Sequence, residues 1–174
     1  MKLHRLLPAL VLLSAAACAD DDPGHLRAQG AAVVVLEDGT ETGFDFADYI
    51  RLDDDRVSPL DGRLAGHCAI GVGAEGEHDV LSVAIVRTAP EGEEDQGLRA
   101  IELRLDSATS GTIEAKLGSG TFTAESGATC SLSRPYVEHQ DGLAAVMADC
   151  TIADSDGNTA TAMVDLQLAG CRLE

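Results

Sequence analysis

The chain is predicted to be all-β, a single antiparallel β-sandwich or open barrel of about eight to ten strands tied by two disulfides. Three observations lead there. Apolar residues recur at every second position from residue 31 onward, the period of a half-buried strand. Gly- and Asp-containing turn signals break these runs at short intervals. No segment carries a capped helical stripe, and no repeat of fixed period runs through the chain.

In order, Ala32-Val33-Val34-Val35-Leu36 and residues 41–46 flank Glu37-Asp38-Gly39-Thr40, and the Asp-Gly pair predicts a hairpin. Residues 47–61 read either as a short helical turn or as an acidic loop around Asp53-Asp54-Asp55. Leu64, Gly66, Cys68, Ile70 and Val72 then alternate along one face. Residues 80–87 form a continuous β-rich run suited to a buried central strand. Residues 90–97, with Pro, Gly and four acids, make an exposed loop. Ile101, Leu103 and Leu105 alternate with Glu102, Arg104 and Asp106, and Ile113, Ala115 and Leu117 with Glu114 and Lys116. Gly118-Ser119-Gly120 turns the chain toward Phe122 and Ala124, and Cys130 with Leu132 marks the next strand. After a turn at Asp141-Gly142, Ala144, Val146, Ala148, Cys150 and Ile152 share one face. Asp154-Ser155-Asp156-Gly157-Asn158 turns again, and Ala160, Ala162, Val164, Leu166 and Leu168 return inward.

Three segments follow from this layout: residues 1–17 as an export signal, 18–30 as a flexible acidic tether, and 31–174 as one β domain. In the first, Lys2 and Arg5 precede an apolar stretch over residues 6–13, broken by Pro8, and small residues 14–17 close it. That stretch is far shorter than the ~20 residues a transmembrane helix needs. The whole chain of 174 residues has a formal charge of −18; losing residues 1–17 removes two bases and no acids, giving −20. So negative a surface repels phosphate backbones, which excludes nucleic acid as a partner, and it opposes docking on anionic headgroups. It supports solubility, or attraction of cations and basic partners. The apolar residues are aliphatic and Ala-rich, with no Trp.

Ala15-Ala16-Ala17-Cys18 resembles the lipobox of bacterial lipoproteins, placed as it is directly after a short apolar run. That family usually carries Leu three residues before the cysteine, where this chain has Ala15. The resemblance implies cleavage before Cys18 and attachment of acyl chains such as palmitate through its sulfur. Each buried CH₂ contributes about 0.8 kcal/mol, so two or more chains anchor stably where one does not. The residue after the cysteine is Ala19; Asp there would resemble an inner-membrane retention signal, so the outer membrane is the expected address. Asp20, Asp21 and Asp22 resemble the acidic stretch that sends some such proteins to the cell surface. The competing reading is plain secretion, with cleavage after Ala17 or Ala19.

Cys68, Cys130, Cys150 and Cys171 remain in the exported chain, and an even count there reads as two disulfides with three possible connectivities. The favoured arrangement joins Cys68 to Cys171 and Cys130 to Cys150. No C-x-x-C is present, so a zinc module is not indicated. Gly62-Arg63-Leu64-Ala65-Gly66-His67-Cys68 and Leu168-Ala169-Gly170-Cys171 give the chain a layout similar to the small mycobacterial lipoprotein antigens. That similarity implies a surface-exposed sandwich of binding type; the pair Cys130 and Cys150 departs from it.

Little else points to chemistry. Asp154, Asp156 and Asn158 put hard oxygen donors at alternate positions, as a Ca²⁺ loop does, but an EF-hand needs Gly and Glu where Thr159 and Asp165 stand. The same residues make a good hairpin turn, because Asp, Gly and Asn tolerate positive φ. His25, His67, His78 and His139 form no H-x-H or H-E-x-x-H motif. His67 beside Cys68 invites a thiol–imidazole reading, but neighbours on a strand face opposite ways. Ser119 lies outside any G-x-S-x-G. The expected function is therefore a lipid-anchored envelope protein with a structural or partner-binding role, no catalysis and no cofactor. Its contacts are the membrane, through lipid on Cys18, and an unidentified envelope partner. A Ca²⁺-dependent adhesion or matrix module is the alternative, and a secreted enzyme of unfamiliar type the third reading.

Overall fold

The computed structural model describes residues 26–52, 64–72, 80–87, 97–138 and 142–174, with backbone alone over 47–52. Wherever the period-two pattern occurs within these residues the chain is extended. Ten strands result: β1 (Leu26–Leu36), β2 (Glu41–Leu52), β3 (Leu64–Gly71), β4 (Val80–Arg87), β5 (Leu98–Leu105), β6 (Gly111–Leu117), β7 (Gly120–Glu125), β8 (Cys130–Glu138), β9 (Leu143–Ala153) and β10 (Thr159–Ala169). A two-residue β11 (Arg172–Leu173) follows. All belong to one curled sheet, an open half-barrel.

β3 to β7 form an antiparallel meander of successive hairpins. β8, β9 and β10 form a second, to which β1 adds beside β10 and β2 beside β1. The two halves join at β9. One flank of that strand is shared between β8 (Cys130↔Cys150 to Glu138↔Leu143) and, at its far end, β7 (Thr123↔Ala153). β11 runs parallel to β3 and is the one parallel pairing among the described residues.

Curling brings the apolar faces of the two halves together in one core. Phe44, Ile70, Leu81, Ile85, Leu103, Ile113, Val146, Ile152 and Leu166 are among its members, and all three phenylalanines of the chain are buried in it. Among the described residues no polar or charged side chain is buried. Across the open mouth of the curl, β2 is tied to the opposite half. Arg87 Nη2 donates to the Gly43 carbonyl at 3.1 Å, and Leu98 N donates to Thr42 Oγ1 at 2.7 Å. The Arg87 guanidinium also lies 5.2 Å over the Phe44 ring, a cation–π contact.

Two covalent ties complete the fold. Cys68 on β3 joins Cys171 just after β10, with Cα atoms 4.6 Å apart, linking the two halves at one end. Cys130 and Cys150 are directly opposed on β8 and β9 and form the second bridge, Cα atoms 3.8 Å apart.

β1 begins at Leu26, so residues 26–30, assigned by composition to the tether, are part of the domain. Leu26 and Ala28 are buried, and the pattern is disguised by Gly30, where the register against β2 shifts. Gly30 has φ +109°, and a Cβ there would run into the Asp165 carbonyl of β10, so only glycine fits. Residues 47–52, read as a helical turn or loop, continue β2, while Asp53, Asp54 and Asp55 lie outside the described residues. The run over residues 80–87 is an interior strand, but its burial alternates, so one of its faces is only partly covered. Val72 ends outside β3 and is exposed.

The two disulfides close loops of very different length, 103 against 20 residues in sequence separation. Loop-closure entropy in the unfolded chain then makes the longer bridge the more stabilising, by roughly 1–1.5 kcal/mol. Urea unfolding should show a greater loss for the Cys68→Ala/Cys171→Ala double variant than for Cys130→Ala/Cys150→Ala; equal losses would contradict this.

Candidate functional site

Because β1 and β10 are neighbours, the β1–β2 turn and the β9–β10 turn sit side by side at one pole of the sheet. Together they carry Glu37, Asp38, Asp154 and Asp156, with Glu41 at the start of β2. The two tips are stitched together: Glu37 Oε1 accepts from Thr159 Oγ1 at 2.6 Å and from Thr159 N at 3.3 Å.

Two of the carboxylates at this pole, Asp38 and Asp154, are occupied in folding their own turns. Asp154 Oδ1 accepts from the backbone N–H of Asp156 and of Asn158, each at 2.9 Å, and Oδ2 accepts from Asn158 Nδ2 at 2.7 Å. Asp38 Oδ1 accepts from Thr40 N at 2.8 Å. These bonds favour the ionised forms, so both acids are held below the usual carboxylate pKa. The side-chain bond from Asn158 is the main cause for Asp154, and the backbone bond from Thr40 for Asp38. Of the three candidate Ca²⁺ ligands, Asp154 thus already accepts three N–H donors. Asp154 and Asn158 are bonded to each other. Among the described residues no group of three or more His, Cys, Asp or Glu is arranged to hold a metal ion.

The other candidates separate. Cys68 is buried in its disulfide, so it offers no thiolate, and His67 sits on the opposite face of β3, half-buried opposite Ala84 of β4. Ser119 is exposed in the β6–β7 turn. Cys18, His25, His78, His139, Asp141 and residues 90–96 lie outside the described residues.

The solvent faces of the two halves differ in chemistry. On β5 and β6, Lys116 Nζ contacts Glu102 Oε1 at 2.6 Å and Glu114 Oε1 at 3.1 Å, and Arg104 Nε contacts Asp106 Oδ1 at 2.9 Å. The bonds to Glu102 and then Glu114 raise the Lys116 pKa. On the other half the register aligns Ser131, Asp149, Met163, Val33 and Gly43 in one row across β8, β9, β10, β1 and β2. Ser133, Met147, Asp165, Ala31 and Asp45 form the next. A third row holds Thr151, Thr161, Val35 and Glu41. Met147 and Met163 are 45% and 43% exposed. Motif searching misses these residues, but the outward parity of β9 and β10 shows them as Met147-x-Asp149 and Met163-x-Asp165.

No protein-family model, curated protein or solved structure matches this chain.

If the Asp154 carboxylate is what shapes the β9–β10 turn, Asp154→Ala lowers Tm at pH 7. The folded-state pKa lies below 3.8, so this stabilisation is present above 3.8 and is lost as pH falls through the depressed value. Melting curves of the two proteins should converge there. Millimolar Ca²⁺ should leave both curves unmoved at pH 7, whereas a rise confined to wild type would favour the calcium module.

Proposed function

We propose that this protein is a lipoprotein of the bacterial outer membrane, held by acyl chains on Cys18, whose β domain serves a structural or partner-binding role without catalysis. The observation carrying this reading is Cys18 itself, a cysteine directly after a basic start, a short apolar run and three alanines. Two disulfides in one small domain support it independently. Such bridges form and persist in oxidising compartments and are rare in the cytosol. The strong negative charge suits a domain standing in water beside a membrane that its own surface does not bind.

In this reading lipid fixes the location, disulfides hold the fold where no cytoplasmic chaperone reaches, and the exposed sheet faces and turns meet the partner. β1 starts at Leu26, so at most seven residues separate the anchor from the first strand. A fully extended span from Cys18 to Leu26 covers about 26–29 Å. The domain would thus stand close to the bilayer, with the β1–β2 and β9–β10 turns at the far end of β1.

Expressed in a lipoprotein-competent bacterium, the mature protein should begin at Cys18 and carry diacylglyceryl mass. It should enter the detergent phase on Triton X-114 partition, and Cys18→Ser should move it to the aqueous phase. A lipid-free protein starting at Asp20 would reduce the reading to plain secretion.

A further inference from the structure

We propose that the outer face of β8, β9, β10, β1 and β2 is a docking surface for a cationic amphipathic peptide segment of a partner protein. This rests on the partner-binding part of the functional reading and is independent of the lipid.

Solvent faces of antiparallel sheets ordinarily carry polar residues, while Met is a buried residue type. The chain has three methionines, one of them the initiator, and the other two are both exposed on this face. They occupy a diagonal on adjacent strands: Met147 is directly opposite Asp165, and Met163 directly opposite Asp149. Val33 and Val35 on β1 and Ala31 between β10 and β2 extend the apolar ground. Thioether side chains are flexible and polarizable, which suits a surface that must fit apolar side chains of a partner.

Charge selects the partner. The three central rows contain Asp45, Asp149, Asp165 and Glu41 and no Lys or Arg. Asp45, Asp149 and Asp165 have no ion pair among the described residues, unlike the acids on β5 and β6, which are neutralised by Lys116 and Arg104. A segment presenting Lys or Arg around an apolar stripe matches this pattern in both sign and polarity.

Size and charge argue against a second copy as the occupant. Five strands span about 19 Å and three rows about 13 Å, an area of roughly 250–300 Å². A stable protein–protein interface needs about 800 Å² on each side. Two copies would also bring Asp against Asp on chains of charge −20. The width equals about 13 residues of helix, so one short amphipathic element covers the face.

The test uses the mature protein and a 14-residue Lys/Leu peptide with Leu at helical spacing, against a scrambled peptide of the same composition, by titration calorimetry. The ordered peptide should bind at least about tenfold tighter, a difference of 1.4 kcal/mol. Met147→Glu/Met163→Glu decides the matter: added negative charge tightens binding if attraction is merely electrostatic, but weakens it at least about tenfold if the peptide seats on the thioethers. Met147→Leu/Met163→Leu should retain binding, and peroxide should abolish it in wild type but not in that variant, because sulfoxides are polar. The Met Cε methyl resonances should shift on titration. Equal affinity for the two peptides, tighter binding by the Glu variant, or unmoved methyl signals would each overturn the proposal. The Cys18→Ser protein should bind as wild type does, so loss of anchoring and loss of docking are read separately.

Discussion

A single sheet has two faces and must bury one of them, and in this protein it does so against itself. Everything else follows from that constraint. The inward side chains are nearly all aliphatic, and the chain has no Trp, so the facing halves have little bulk with which to fill a wide lumen. The sheet must curl tightly. A curl that does not close into a barrel leaves an open mouth, and strand hydrogen bonds cannot bridge it. Arg87 and Leu98 reach across to β2 instead, and the Cys68–Cys171 bridge joins the halves covalently at one end. These ties supplement the short β7–β9 pairing, at Thr123 and Ala153, through which the ladder itself joins the halves.

The disulfides divide the labour accordingly. Cys130–Cys150 lies within a ladder that backbone bonds already define, so it reinforces a local register. Cys68–Cys171 joins elements far apart in sequence and belonging to opposite halves, so it restricts the unfolded chain more and guards the seam. The adjoining bonds, from Cys171 N to the Gly142 carbonyl and from Glu174 N to the Ile70 carbonyl, fasten the end of the chain to both halves. In a domain of modest core this is where a covalent tie is most effective.

How far the sequence could be read depended on whether local chemistry or distant pairing decided each element. β9 and β10 were legible, because alternation along β10 and from Val146 onward in β9, with an Asp-Gly turn between them, leaves one register that buries every second side chain. The first residues of β1 were hidden, because Gly30 looks like a breaker until the Asp165 carbonyl beside it is seen. The hairpin of β1 with β2 was legible from its Asp-Gly turn, but the pairing of β1 with β10 was not, since it joins strands more than a hundred residues apart and nothing local marks it. At the candidate turn the residue types of Asp154, Asp156 and Asn158 were informative but ambiguous. Oxygen donors that can bind calcium can equally accept backbone N–H groups, and the Asp154 oxygens do accept them.

The same parity that fixes the core also writes the surface, and there the two halves diverge. Alternation assigns every residue between two buried positions to solvent, where packing no longer constrains its identity. On β5 and β6 those freed positions hold acids and bases that neutralise one another within a few ångströms. On β9, β10 and β1 they hold acids, thioethers and valines with no base among the central rows. Burial alone would accept Thr, Lys or Glu at positions 147 and 163 equally well, and solubility would favour them. Leaving two methionines in water costs apolar hydration, and setting beside them carboxylates with no ion pair among the described residues adds repulsion without any return in the isolated fold. Both costs are recovered when a cationic apolar segment covers the face, since one contact removes the methyl groups from water and neutralises the acids. The chemistry of the partner is thus written in what the fold did not require.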